Sequence, residues 1–230
     1  MGRVEWPCEI NKEGISGVPF YYWESNKWKF DNPQRFASVD CRLYIALAAA
    51  ILDGIKFFDL KGINTHGIYC NRNIRGSNKV STHASGIAID LKGFLINDSG
   101  WWVETPPEVE DRDAHKPMLS ITATVLMRPY FPDIITWDKG QWQGGFPHKF
   151  SSKTAQLHRD HYHLNVSPKT RFRVTYDKFH NAAVQRLIAE LGHKHLDEYQ
   201  KAKGLVADGI AGLKTSRELV ADFGGKVVGG

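Results

Sequence analysis

Two short stretches of this chain hold residue types that could do chemistry. Residues 81–94 read STHASGIAIDLKGF, with His83 and Asp90 seven positions apart among small and apolar residues. Residues 158–163 read HRDHYH, with His158, His161 and His163 crowded together. A catalytic zinc takes three protein ligands from histidine and carboxylate and leaves a fourth position open. His83, Asp90 and one histidine of HYH would supply that set. Zinc held there would lower the pKa of a bound water to roughly 7 and polarise a substrate carbonyl. A neighbouring base must then take the proton, and Asp160 and His161 both stand next to the ligand segment.

These residues need rigid backing. Residues 86–96 are apolar and β-branched, which predicts a strand. On it Ile87, Ile89 and Leu91 point into a core, while Ala88 and Asp90 point the other way. A strand over 161–166 puts His161, His163 and Asn165 on one face and Tyr162, Leu164 and Val166 on the other. Residues 40–58 predict a helix capped by Asp40, and 62–70 a strand. Residues 1–37 read as short strands and loops, 71–79 and 101–118 as loops, 119–128 as a helix and 137–150 as an aromatic, glycine-rich loop. An isolated HxH is common by chance, and the HKH at 193–195 reads as solvated surface. It is the joint occurrence of the two segments that points to a metal.

The chain has 230 residues, of which 42% are hydrophobic, which suits one or two globular domains. Its most apolar run, Ala46 to Leu52, is far shorter than a membrane span, so no membrane insertion is expected. The first residues lack the apolar core of a secretory signal, so export by the general secretory route is not expected. The net charge of +5 favours a polyanionic partner such as an acidic wall polymer. No lysine/arginine block of five or more occurs, so nucleic acid is not expected as a partner. The cysteines, Cys8, Cys41 and Cys70, form no CxxC pair, which argues against a thiolate zinc site.

Near residue 175 the pattern becomes helical. Val184, Leu187, Ile188 and Leu191 recur at helical spacing, a second segment carries Leu196 and Tyr199, and a third follows the turn DGIAG. A flexible tail is expected at 224–230.

Ser81, His83, Gly86, Ala88 and Asp90 fill the pattern SxHxxGxAxD, which resembles the signature of LAS-type zinc peptidases. That group includes D-Ala-D-Ala carboxypeptidases, murein endopeptidases and several phage endolysins. DCRLYIALAAAI, GIYCNR, STHASGIAIDLKGF and HRDHYHL are similar to its extensin-like C-terminal family, over about residues 38–166. The resemblance implies an α+β fold with a small, mostly antiparallel sheet and flanking helices, in a peptidase domain over 1–174. It implies that His83, Asp90 and His163 bind Zn2+, with Gly86 and Ala88 small so that the chain passes close to the metal. It places the base on Asp160 or His161, and oxyanion stabilisation on Arg72. Ser81 would support the loop or contact substrate. Trp137, Trp142 and Phe146 in the aromatic insert are candidates to line a substrate groove. Cys41 and Cys70 match the family's cysteines; their pairing would gain on the order of 3–4 kcal/mol and leave Cys8 free. The chain departs from the family at Asn165, where an aspartate is frequent, and in the insert 137–150.

Residues 178–223 resemble a three-helix peptidoglycan-binding domain. The resemblance places wall contacts at Asp208, Gly209 and Thr215 and makes Leu205, Val206 and Ile210 core. Together the two resemblances imply a monomeric zinc peptidase that cuts peptidoglycan stem or cross-link peptides. A phage endolysin fits this best, made in the host cytoplasm and reaching the wall through a holin or an injection device. The alternative is a wall-binding protein that keeps zinc without catalysis. A glycosidase using Glu104, Glu108, Glu110, Asp111 or Asp113 is disfavoured, because these crowd one proline-rich run.

Overall fold

The computed structural model describes residues 4–24, 27–28, 33–70, 73–74, 78–96, 101–104, 126–135, 142–143, 146–147, 149, 151–158, 161–166 and 173–228. The fold is α+β. Its strands are β1 (Pro7–Ile10), β2 (Phe20–Glu24), β3 (Lys27–Trp28), β4 (Phe36–Asp40), β5 (Leu60–Gly67), β6 (Ala88–Ile96), β7 (Trp101–Glu104), β8 (Asp133–Ile135), β9 (Trp142–Gln143), β10 (Phe146–Pro147), β11 (Tyr162–Asn165) and β12 (Lys226–Val227). Its helices are α1 (Cys41–Phe58), α2 (Ser152–Leu157), α3 (Arg173–Glu190), α4 (Leu196–Ala202) and α5 (Leu213–Asp222), with a 3-10 turn at Thr82–Ser85.

Helix α1 follows the sequence closely. Asp40 caps it by accepting from the Arg42 amide at 3.0 Å. The same carboxylate takes two hydrogen bonds from the Arg42 guanidinium, at 2.7 and 2.8 Å, and one from the Trp6 amide. These satisfy an aspartate that is fully buried. From Cys41 to Ile51 every side chain of α1 is buried, so the helix lies at the centre of the core.

The main sheet runs β10-β9-β8-β11-β6-β5-β2-β3, with β7 paired to the far half of β6. Only β2 and β5 pair in parallel. A second sheet runs β12-β1-β4. The alternation expected on β6 and β11 is present: Ile87, Ile89, Leu91, Tyr162, Leu164 and Val166 all belong to the core. The opposite face of the β6/β11 pair carries Asp90, His161 and His163.

The sheet is larger than expected. Trp101–Glu104 and parts of 137–150, read as loop, form β7, β9 and β10. Strands of two to four residues are too short to show a period, and the ladders of neighbouring strands set them. The helix expected at 119–128 lies mostly outside the described residues, though Leu126 and Met127 are buried.

The C-terminal helices close over α1 and share its core. Ala183, Val184, Leu187 and Ile188 of α3 are buried in the same cluster as α1 and the sheet. The Tyr44 hydroxyl of α1 donates to the Phe223 carbonyl at 2.7 Å, and Arg186 Nε donates to Asp53 Oδ1 at 2.7 Å. The tail expected to be flexible is instead tied down: β12 pairs with Cys8 and Glu9 of β1. Gly225 allows this approach, since a Cβ there would lie 2.7 Å from the Tyr44 ring.

Val206 and Ile210, expected in the core, are 79% and 66% exposed. A buried glutamine takes the place of an apolar plug. Gln200 Nε2 donates to Asp208 Oδ1, the Ile210 carbonyl and Thr215 Oγ1, and Gln200 Oε1 accepts from the Gly209 amide. This knot turns the chain so that its apolar side chains face outward.

Candidate metal centre

His83 is placed by its own turn. Ser81 Oγ caps the 3-10 turn by accepting from the His83 amide at 3.3 Å. Gly86 ends the turn in the left-handed region, at φ +66°, with its amide donating to the His83 carbonyl. A Cβ at Gly86 would lie 2.6 Å from the Ser38 carbonyl oxygen. Gly86 is therefore small because of its backbone conformation and its fit against the β4–α1 junction, and not to let the chain pass the metal. Asp90 and His163 come from adjacent strands, where the β6/β11 register sets them directly opposite.

His83 Nδ1 lies 2.8 Å from the Ile68 carbonyl. A carbonyl only accepts, so Nδ1 carries the proton and Nε2 presents a lone pair. That lone pair faces Asp90 Oδ1 at 3.0 Å and His163 Nδ1 at 3.1 Å, and His163 Nδ1 lies 2.8 Å from the same carboxylate oxygen. Three acceptors aimed at one point repel unless a proton or a cation lies between them. The three atoms lie within 4.8 Å of one another. Ligands about 2.0–2.2 Å from a tetrahedral ion would be roughly 3.3 Å apart, which these separations approach. The His83–Asp90–His163 group could therefore hold a metal ion.

The electrostatics agree. Burial pushes the Asp90 carboxyl up, but hydrogen bonds with His163 and His83 and the charge on both rings outweigh it and hold it well below the usual carboxylate range. Burial lowers His163, against the pull of Asp90, which favours the neutral form that a metal needs.

Two further imidazoles flank the three ligands. His161 Nε2 lies 3.6 Å from Asp90 Oδ1. The His158 ring lies 5.1 Å from that of His161 and 5.4 Å from that of His163. His158 Nδ1 donates to the Thr154 carbonyl at 2.7 Å, so its Nε2 is the acceptor. Burial pushes His158 down to about 4, so it is neutral at neutral pH. A cavity of about 530 Å³ opens over the group, walled by Thr82, Ile135, Leu157, His158, His161 and Asn165. A second cavity, of about 330 Å³, meets the first at His83 and Asp90 and is lined by Tyr22, Phe36, His66, Tyr69 and Cys70.

The chain matches no protein-family model, no curated protein and no solved structure.

Of the residues singled out in the sequence, His83, Asp90, His163 and His161 come together, and Ser81 lines the first cavity while capping the turn. Arg72, Asp160 and Trp137 lie outside the described residues, and Trp142 lies in β9. Thr215 is buried and braces the Gln200 knot, so it is a support for the turn rather than a surface contact. Asp208 and Gly209 are exposed. His158 and His66 were not singled out. The crowding in HRDHYH signals His158. His66 had no local signal, and it reaches the site only because β5 lies beside β6, with its ring 5.5 Å from that of His161. The pairing of Cys41 with Cys70 is not formed. All three cysteines are thiols, Cys41 is buried beside Cys8, and Cys70 is exposed.

Proposed function

We propose that this chain is a zinc-dependent peptidase of LAS type that cuts peptide bonds in bacterial peptidoglycan. One observation carries the reading: three ligand atoms converge on the floor of a cavity that also holds His161 and His158. A site that only held a structural metal would need neither an open cavity nor spare imidazoles.

Zinc bound there would supply an acidified water and polarise the scissile carbonyl. The chain's own residues do the rest. His83 is held by the Ile68 carbonyl and Asp90 by its strand, so both ligands are fixed before substrate arrives. His161 is placed to accept the proton of the attacking water and return it to the leaving amine. Asp160 is the alternative base. Peptidoglycan as the substrate rests on the SxHxxGxAxD pattern and on the three C-terminal helices, which would hold the enzyme on the wall and raise local substrate concentration. A phage endolysin, monomeric and acting on the periplasmic wall, is the setting that fits.

Purified peptidoglycan incubated with the protein, with and without chelator, tests this by mass spectrometry of the released fragments. New amino and carboxyl ends that disappear with chelator are expected. Reducing sugar ends would overturn the reading in favour of a glycosidase. Tight wall binding with no product would leave a non-catalytic zinc protein.

A further inference from the structure

Away from the metal centre the fold buries two thiols against each other. Cys8 in β1 and Cys41 at the start of α1 are both fully buried. The register sets Cys8 opposite Val39, and the Cys41 amide donates to the Trp6 carbonyl at 2.8 Å, so β1 runs on beside the first turn of α1. Cross-strand partners share a face, and so do residues two apart. Cys8, Val39 and Cys41 therefore point the same way. The two thiols are in hydrogen-bonding contact. A disulfide requires Cβ atoms about 3.5–4.5 Å apart, a separation that thiols already in contact can reach without moving the strand. Cys70 lies elsewhere, exposed in the cavity beside His83.

We propose that Cys8 and Cys41 are a disulfide site that closes when the chain meets a small disulfide oxidant, while Cys70 stays a thiol. One cysteine thiolate attacks a sulfur of the oxidant RSSR and releases one RSH. The second cysteine attacks the mixed disulfide and releases the other RSH. Two cysteine thiols and one RSSR become one Cys8–Cys41 bond and two RSH, so the oxidant takes both electrons and both protons. The hydrogen bond with Cys41 and then burial push the Cys8 thiol far up, so in the closed fold it is protonated and inert. Exchange therefore occurs as the chain folds, or when β1 opens. A reducing cytosol keeps the pair open and an oxidising compartment closes it.

The bond would tie β1 to the junction that supports the metal centre. Asp40, beside Cys41, donates its amide to the Gly86 carbonyl at 2.9 Å, and Gly86 closes the turn that holds His83.

Full-length protein refolded with oxidised and reduced glutathione tests the proposal. Thiols are counted in denaturant, and the unreduced protein is mapped by peptide mass spectrometry. A single free thiol, a Cys8–Cys41 linked peptide and a Tm about 5–10 °C above that of the reduced protein are expected. Cys70→Ser should keep the linked peptide and Cys8→Ser should lose it. Three free thiols after refolding, or a Cys41–Cys70 peptide, would overturn the proposal. The map of the unsubstituted protein decides this even if Cys8→Ser does not fold.

Discussion

Asp90 and His163 are direct cross-strand partners, with His163 Nδ1 2.8 Å from Asp90 Oδ1. The carboxylate and the imidazole come from segments 73 residues apart, and the ladder between β6 and β11 holds them there. A metal ligand pair on adjacent strands loses little entropy on binding, because the backbone is already fixed.

Metal binding should depend on that pair. Zinc at about 100 times its Kd should stabilise the protein by about 2.7 kcal/mol, read as a Tm rise of about 5–10 °C. Asp90→Asn and His163→Ala should lose the rise and the bound zinc in elemental analysis. A His163→Ala protein that still carries one equivalent of zinc would remove the basis for the site.

The proton-transfer residue should separate from the ligands. His161→Ala should keep zinc and lose about 10²–10⁴-fold in turnover. Asp160→Ala is the matched comparison, and whichever variant keeps zinc but loses turnover identifies the base. Should both retain full activity, base catalysis from this segment would be excluded.

Gly86→Ala should harm both fold and site. The left-handed backbone alone costs about 1–3 kcal/mol, and the new Cβ meets the Ser38 carbonyl. Gly17, at φ +77° with nothing within 4 Å of a Cβ, is the control. Gly17→Ala should lower Tm without changing zinc affinity, whereas Gly86→Ala should lower both. Equal zinc affinity in the two variants would show that the turn does not position His83.

The C-terminal helices should unfold together with the sheet. Leu187 is fully buried in the core that α3 shares with α1. Leu187→Ala should cost about 2–5 kcal/mol and shift a single thermal transition. Removing residues 178–230 should then cost folding as well as wall binding. Two separate transitions, with the metal-linked one unmoved, would show independent units.

Acid should weaken the fold through His180. Burial pushes this imidazole down to about 4, against a hydrogen bond with the Ala211 carbonyl, and Arg42 adds to the lowering. The unfolded group titrates near 6.5. Between those values the unfolded chain binds a proton that the folded chain does not, so stability falls as the pH drops. The contribution is complete above about pH 6.5 and lost as the pH passes below about 4; it amounts to up to about 3 kcal/mol. Denaturant unfolding of metal-free His180→Asn protein should show a shallower loss over that range, and an unchanged loss would assign the effect elsewhere.

The sequence by itself determined the local pieces. Apolar and polar residues alternating at 87–91 and 162–166 put Asp90, His161 and His163 on faces away from the core, because a strand has a period of two. Asp40 before an apolar, alanine-rich run determined α1 and its cap. What only the tertiary structure decided is which pieces meet. The β6/β11 register sets Asp90 against His163, and the β5/β6 pairing brings His66 in. The packing of β1 on the start of α1 makes Cys8, and not Cys70, the neighbour of Cys41. The Gln200 knot turns Val206 and Ile210 outward, although their type favours burial. Local pattern decides which way a side chain points from its own element. Which element it then meets depends on hydrogen-bond ladders and burial between segments distant in the chain, and no short window of sequence contains those.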